Sequence, residues 1–167
     1  MLSAWFSKLG EPVDSDEARL IDAYLRGLGL TGALPIESVD DWGGARNIVT
    51  DAAWDRRWWE AEQREKRRLW QAAVERRGEV DVLQSLSRTL ETSELVRHAA
   101  SAAAERCGSA DVGLVGAAAA AASEAFHLAE LARLAIETEA HSFFLKRALF
   151  DAGRWPLGIL HGRYRIF

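Results

Sequence analysis

Proline removes a helical hydrogen bond and collides with the preceding turn, and this chain has only three, at Pro12, Pro35 and Pro156. The whole stretch between Pro35 and Pro156 is therefore free of an obligatory helix breaker. Apolar residues recur through it at three- and four-residue steps, the period of an amphipathic helix. We expect an all-α fold: an antiparallel bundle of three long helices, a shorter N-terminal helix, and a C-terminal extension with hairpin character. One domain over 1–167 would hold an N-terminal helix and long connection (1–50), the bundle (51–152) and the extension (153–167). At 167 residues, such a domain buries a core without staples.

Local signals divide this frame. Leu2, Trp5, Phe6 and Leu9 fall at helical spacing before Gly10, which predicts a short N-terminal turn of helix packed on the body. Asp14 with Glu17 makes a capping box, and Ala18, Ile21, Leu25 and Leu28 follow on one face up to Gly29. Gly29, Gly32, Pro35, Gly43 and Gly44 then read as a long surface connection over 29–49, anchored by Trp42.

Thr50 or Asp51 can cap the next helix and Gly78 ends it, giving about 27 residues and roughly 40 Å. Trp58, Ala61, Glu65, Leu69 and Ala72 form one row on it, and Trp59, Gln63, Lys66, Trp70 and Val74 the adjacent one. Trp58 is the tryptophan expected inside, Trp59 the one expected outside. Leu83, Leu86, Leu90, Ser93, Ala100, Ala103 and Cys107 hold a helical register up to Gly108. A continuous helix of matched length, hairpinned on its predecessor, is expected, with Thr92 and Ser93 as the place where a second one can start. Gly108-Ser109-Ala110-Asp111 turns the chain into an alanine-rich helix whose small stripe suits a central position. Ser142 can open a last helix that Gly153 stops, and whether 111–152 is continuous stays open. Beyond Trp155 the period becomes alternating, with His161-Gly162 at a hairpin turn, and a tail so apolar is expected to dock.

Charge and composition narrow the function. The 49% apolar and 28% charged balance is that of a soluble globular protein. Cys107 is the single cysteine, which excludes an internal disulfide and a thiolate-rich metal cluster and points to a reducing cytoplasm. The first residues lack the pattern of a signal peptide, and the apolar run Ala117 to Ala122 is too short to span a bilayer, so no membrane is expected. The net charge of -4 is uneven: residues 79–142 carry ten acids and four bases, residues 143–167 one acid and five bases. These segments are electrostatic complements, within one chain or between two.

Three chemistries deserve weighing. Glu124-Ala-Phe-His127 is an E-x-x-H step that resembles half of the ligand set of ferritin-like di-iron bundles, but the second step is missing. Glu94 with His98 and Glu137 with His141 sit four apart. These six are the candidate ligands for iron, manganese or zinc, and a metal-binding bundle protein or oxidoreductase centred on Glu124 and His127 is one alternative. Helix 51–77, with arginines among its tryptophans, offers single-stranded nucleic acid as another, although six acids share the segment. No G-x-S-x-G elbow or phosphate-cradling loop occurs.

The leading expectation is a non-enzymatic, soluble helical protein of bacterial type, such as an immunity or adaptor protein, without a cofactor. Its partner would be another protein or a second copy of itself. Trp, Tyr and Arg are enriched at interface hot spots, so Trp59, Arg67, Trp70, Trp155, Arg163 and Tyr164 are the candidate contacts.

Overall fold

The computed structural model describes residues 4–32, 34–108 and 111–167. It is mostly helical, at 65% helix, with a small three-stranded sheet at its C-terminal end. Leu2, Ser109 and Ala110, which entered the expectations above, lie outside the described residues.

Residues 5–10 form turns instead of a turn of helix, because Phe6 takes a positive φ of 59°. Phe6 is nonetheless buried, edge-on to Phe150 at 6.2 Å. Helix α1 (Ser15–Gly27) opens on the expected capping box: the Asp14 carboxylate accepts from the Asp16 and Glu17 N–H groups, and Glu17 accepts from Asp14 N–H. Ile21, Tyr24 and Leu25 face the core.

The connection expected over 29–49 contains two elements, strand β1 (Ile36–Ser38) and helix α2 (Trp42–Val49). Gly43 and Gly44 are poor helix formers and hid this helix. They occupy its first turn, where Asp41 supplies the cap by accepting from Gly44 N–H at 2.7 Å.

Helix α3 (Arg56–Arg77) is 22 residues long, five fewer than expected, because Asp55 and not Thr50 or Asp51 is its cap. The residues just before it are tied elsewhere. Trp54 bridges Leu160 and Asp55 N–H donates to the Ile159 carbonyl at 2.7 Å. Gly78 closes α3 at φ 83°, ψ 149°, a region open essentially to glycine. Its N–H donates to the Val74 carbonyl at 2.8 Å, and α4 (Glu79–Thr89) starts at the next residue.

The continuous helix expected over 79–107 is broken. A 3-10 turn (Leu90–Thr92) separates α4 from α5 (Ser93–Arg106), at the position that Thr92 and Ser93 marked. The Thr89 and Thr92 hydroxyls donate back to the Leu86 and Thr89 carbonyls, each at 2.6 Å, and so bend the chain. The 11-residue α4 matches only half of α3. It packs on α3 and α6, while the main neighbour of α5 is α6.

Helix α6 (Val112–Leu134), capped by Asp111, is the central element. By length and composition it is long enough and apolar enough to cross a membrane. Here it packs against α3, α4, α5 and α7, with Ala118, Ala122, Ala125, Ala129 and Ala132 buried. It ends at Leu134, and α7 (Ser142–Asp151) is separate.

Strands β2 (Pro156–Leu160) and β3 (Arg163–Ile166) pair antiparallel around His161 and Gly162, both at positive φ as a type I′ turn requires. Strand β1 adds in parallel, so the order is β1-β3-β2. The fold is mostly helical and the extension forms a hairpin, as expected, while β1 adds a third strand that was not expected. Strand β1 finds its partner across most of the chain, which no local period records. Gly158 lies where a Cβ would come within 2.8 Å of the Trp58 ring, so β2 rests directly on α3.

The charge complement expected between 79–142 and the basic tail is also redistributed. Lys146 pairs with Glu62, Arg154 with Glu17, and Arg163 and Arg165 with Glu37. Four of the tail's five bases meet acids from the first 62 residues, because α7 packs on α1 and β3 on β1, and Arg147 pairs with Asp151 of its own helix.

Candidate protein-interaction surface

Helix α3 is fixed from its inner side. Trp58, Ala61, Leu69 and Ala73 are buried there, and Trp58 Nε1 donates to the Tyr24 hydroxyl at 2.6 Å. That hydroxyl donates to Glu62 at 2.6 Å, and Lys146 donates to both Glu62 oxygens at 2.7 and 2.9 Å. Burial, then the Glu62 charge, pushes the Tyr24 hydroxyl well above its ordinary range, which keeps it a donor. Lys146 also stands over the Trp58 ring, 5.4 Å from its centroid. The network joins α3 to α1 and α7 and leaves α3 one orientation.

That orientation determines which side chains face out. Trp59 is 49% exposed and Trp54 37% exposed, and together with Arg56 and Glu60 they line a shallow cavity of about 290 Å³. Eleven residues further, about 16 Å along the helix, Trp70 lines a second cavity of about 450 Å³. Gln63, Lys66, Arg67 and Gln71 complete its α3 wall, and His127 and Leu131 of α6 its floor. Lys66 pairs with Glu124 at 2.8 Å. Arg67 is exposed and, among the described residues, has no ion pair. Burial, then the Lys66 charge, lowers the His127 pKa, so its imidazole is neutral at pH 7 and contacts the Thr89 hydroxyl at 3.3 Å.

Of the six expected contacts, α3 brings Trp59, Arg67 and Trp70 onto one helical side. Arg163 is exposed on the hairpin, paired with Glu37 at 3.3 Å. Trp155 and Tyr164 are withdrawn: they are 2% and 0% exposed. Trp155 packs on Trp42 and Phe167, Tyr164 on Tyr24. Their ring area completes the core under the sheet and cannot meet a partner on the folded surface.

The candidate metal ligands are dispersed. Glu94 pairs with Arg97 and His98 is exposed on α5. Glu124 is held by Lys66 and His127 by Thr89. Glu137 pairs with Arg68 at 2.6 Å. His141 contacts Glu65 at 2.8 Å and caps α7 by accepting from Phe143 N–H. Among the described residues no group of three or more His, Cys, Asp and Glu side chains is placed to hold an ion. The Glu94 and His98 pair lies on α5 and the Glu124 and His127 pair on α6, whereas Glu137 and His141 lie in the connection between α6 and α7.

The arrangement is therefore suited to binding. It offers exposed rings beside unpaired guanidinium groups on a rigid helix, the combination found at protein hot spots. Comparison with protein-family models, with curated proteins and with solved structures finds no match to the chain.

Proposed function

We propose that this chain is a non-enzymatic helical protein of bacterial type that acts in the cytoplasm by binding another protein chain, as an immunity or adaptor protein does. In this reading the long helices form an antiparallel bundle whose purpose is to hold α3 still. One observation carries the reading: α3 commits Trp58 to the core through a buried hydrogen-bond network and leaves the adjacent Trp59 half in water, on the helical side that further along carries Arg67 and Trp70. An exposed tryptophan forfeits about 1.5–3 kcal/mol of burial, which a partner surface recovers.

Excess positive charge on α3, eight bases against four acids, favours an acidic partner. The test is photocrosslinking in the host cell with a benzophenone amino acid at position 59, and at 98 as a control on α5. A protein adduct from 59 that is absent from 98 is the expected result. No adduct, equal adducts from both positions, or adducts to nucleic acid alone would remove the reading.

A further inference from the structure

We propose that the cavity at the break between α4 and α5 is a binding site for a small aromatic monocarboxylate. No residue of α3 lines it, so the site goes beyond the protein-binding reading above and stands or falls apart from it.

The cavity measures about 370 Å³, within the range of small-molecule sites. It lies where the helical path breaks after Thr89. Ser85, Arg88, Thr89 and Thr92, from α4 and the 3-10 turn, form one wall. Phe126, Glu130 and Arg133, four and three residues apart and so on one face of α6, form a second. Arg147 of α7 and Trp5 of the N-terminal turns complete it.

The first observation is a platform of rings. The Trp5 and Phe126 centroids are 5.0 Å apart, and the Arg147 guanidinium stands 5.0 Å from the Phe126 centroid. Helix α7 orients the indole, because Trp5 Nε1 donates to Asp151 at 3.0 Å. Such rings favour an aromatic ligand through offset or edge-on contact.

The second observation is a set of unused donors. Among the described residues Arg88 makes no hydrogen bond or ion pair, and the hydroxyl of Ser85, three residues before it on the same face of α4, has no partner. Arg147 spends only Nε, on Asp151 at 3.3 Å, and Arg133 keeps Nη1 free beside its two bonds to Glu130. The Thr89 and Thr92 hydroxyls are committed to backbone carbonyls. The guanidinium groups and Ser85 are therefore the donors that can hold an anion.

The third observation is charge. Glu130 pairs with Arg133 and Asp151 with Arg147, which leaves the cavity the single positive charge of Arg88. A carboxylate cancels that charge, and its two oxygens match the fork of one guanidinium. A phosphate monoester, at about -1.5 to -2 near neutral pH, exceeds it. In the bound state the ring lies on Phe126 and Trp5, and the carboxylate accepts from Arg88 and Ser85.

Titration of the isotope-labelled full chain with cinnamate, followed by the nuclear magnetic resonance signal of the Trp5 indole N–H, tests this. The expected result is a shift that half-saturates between about 10 µM and about 1 mM. Cinnamyl alcohol, which lacks the charge, and acetate, which lacks the ring, should each bind at least about 10-fold more weakly. Arg88 is exposed and unpaired in the free chain, so Arg88→Met should keep the melting transition and weaken cinnamate at least about 10-fold. Arg97→Met on α5 should leave binding unchanged. Ser85→Glu sets a carboxylate in the wall and should abolish the shift, which keeps the test decisive where Arg88→Met fails to fold.

No shift at about 5 mM cinnamate, an equal response to cinnamyl alcohol or to acetate, or binding unchanged by both Arg88→Met and Ser85→Glu would overturn the inference. Tighter binding of phenyl phosphate than of cinnamate would overturn the monocarboxylate.

Discussion

Arg154 shows at the scale of one residue how this fold is locked. It is 2% exposed, yet all five of its N–H donors are used. Nε and Nη2 donate to the Glu17 carboxylate at 3.0 and 2.8 Å, Nη1 to the Lys8 and Glu11 carbonyls, and Nη2 also to the Pro12 carbonyl. Burial alone would raise the Glu17 pKa, but Arg154, the Asp14 N–H and Lys8 outweigh it and hold the carboxyl at about 2. A carboxyl depressed below its ordinary 4.5 contributes stability that is complete above that value and is lost as pH falls toward 2. The size is of the order of 3 kcal/mol. We expect the urea midpoint to fall steeply between pH 4.5 and 2. In Arg154→Met the pH 7 stability should drop by about 3–5 kcal/mol, because Glu17 is left buried without its partner, and the acid limb should become shallower, with Asp55, Glu65, Asp111 and Glu124, also held below the usual carboxylate range, supplying what is left of it. An unchanged acid limb in that variant would show that Arg154 does not set the Glu17 pKa. The capping box of Asp14 and Glu17 was legible in the sequence because its residues are three apart. Arg154 was not, since 137 residues separate it from Glu17 and no local pattern spans that distance.

Elements were legible where their signals were local. Gly29, Gly78 and Gly153 end helices as their positions suggest, and the hairpin turn falls on His161-Gly162. Strand β1 was hidden because three residues carry no alternation, and its pairing to β3 is parallel and distant. Helix α2 was hidden by its glycines, and the break after Thr89 was foreshadowed only by Thr92 and Ser93. Docking of the tail follows the apolar density of its sequence: Trp155, Ile159, Leu160, Tyr164, Ile166 and Phe167 are all buried. At about 1.5–3 kcal/mol for each such side chain, their removal costs roughly 10 kcal/mol, comparable with the whole stability of a small domain. We therefore expect a chain truncated before Trp155 to show no cooperative melting transition. A truncated chain that melts within a few degrees of the intact one would mean that the sheet is an accessory to the helices.

For the whole molecule, the design is a central alanine-rich helix, α6, with α3, α4, α5 and α7 around it, and a sheet that covers the start of α3. The candidate surface was legible only in part. Helical spacing separates Trp58 from Trp59, but it cannot tell that Trp155 and Tyr164 are consumed by the core, because that depends on where the tail lands. What remains on the outside is a rigid helix with rings and guanidinium groups that the chain itself does not use.

The central claim is that α3 assigns its two adjacent tryptophans to different tasks, Trp58 to folding and Trp59 to a partner. Paired urea unfolding of Trp58→Ala and Trp59→Ala, at a concentration low enough to keep the chain unassociated, tests it most directly. Trp58 is buried, hydrogen-bonded to Tyr24 and packed on Gly158, so its truncation should cost about 3–5 kcal/mol. Trp59 faces water, so its truncation should change stability by no more than about 0.5 kcal/mol. Equal losses in the two variants would contradict the account.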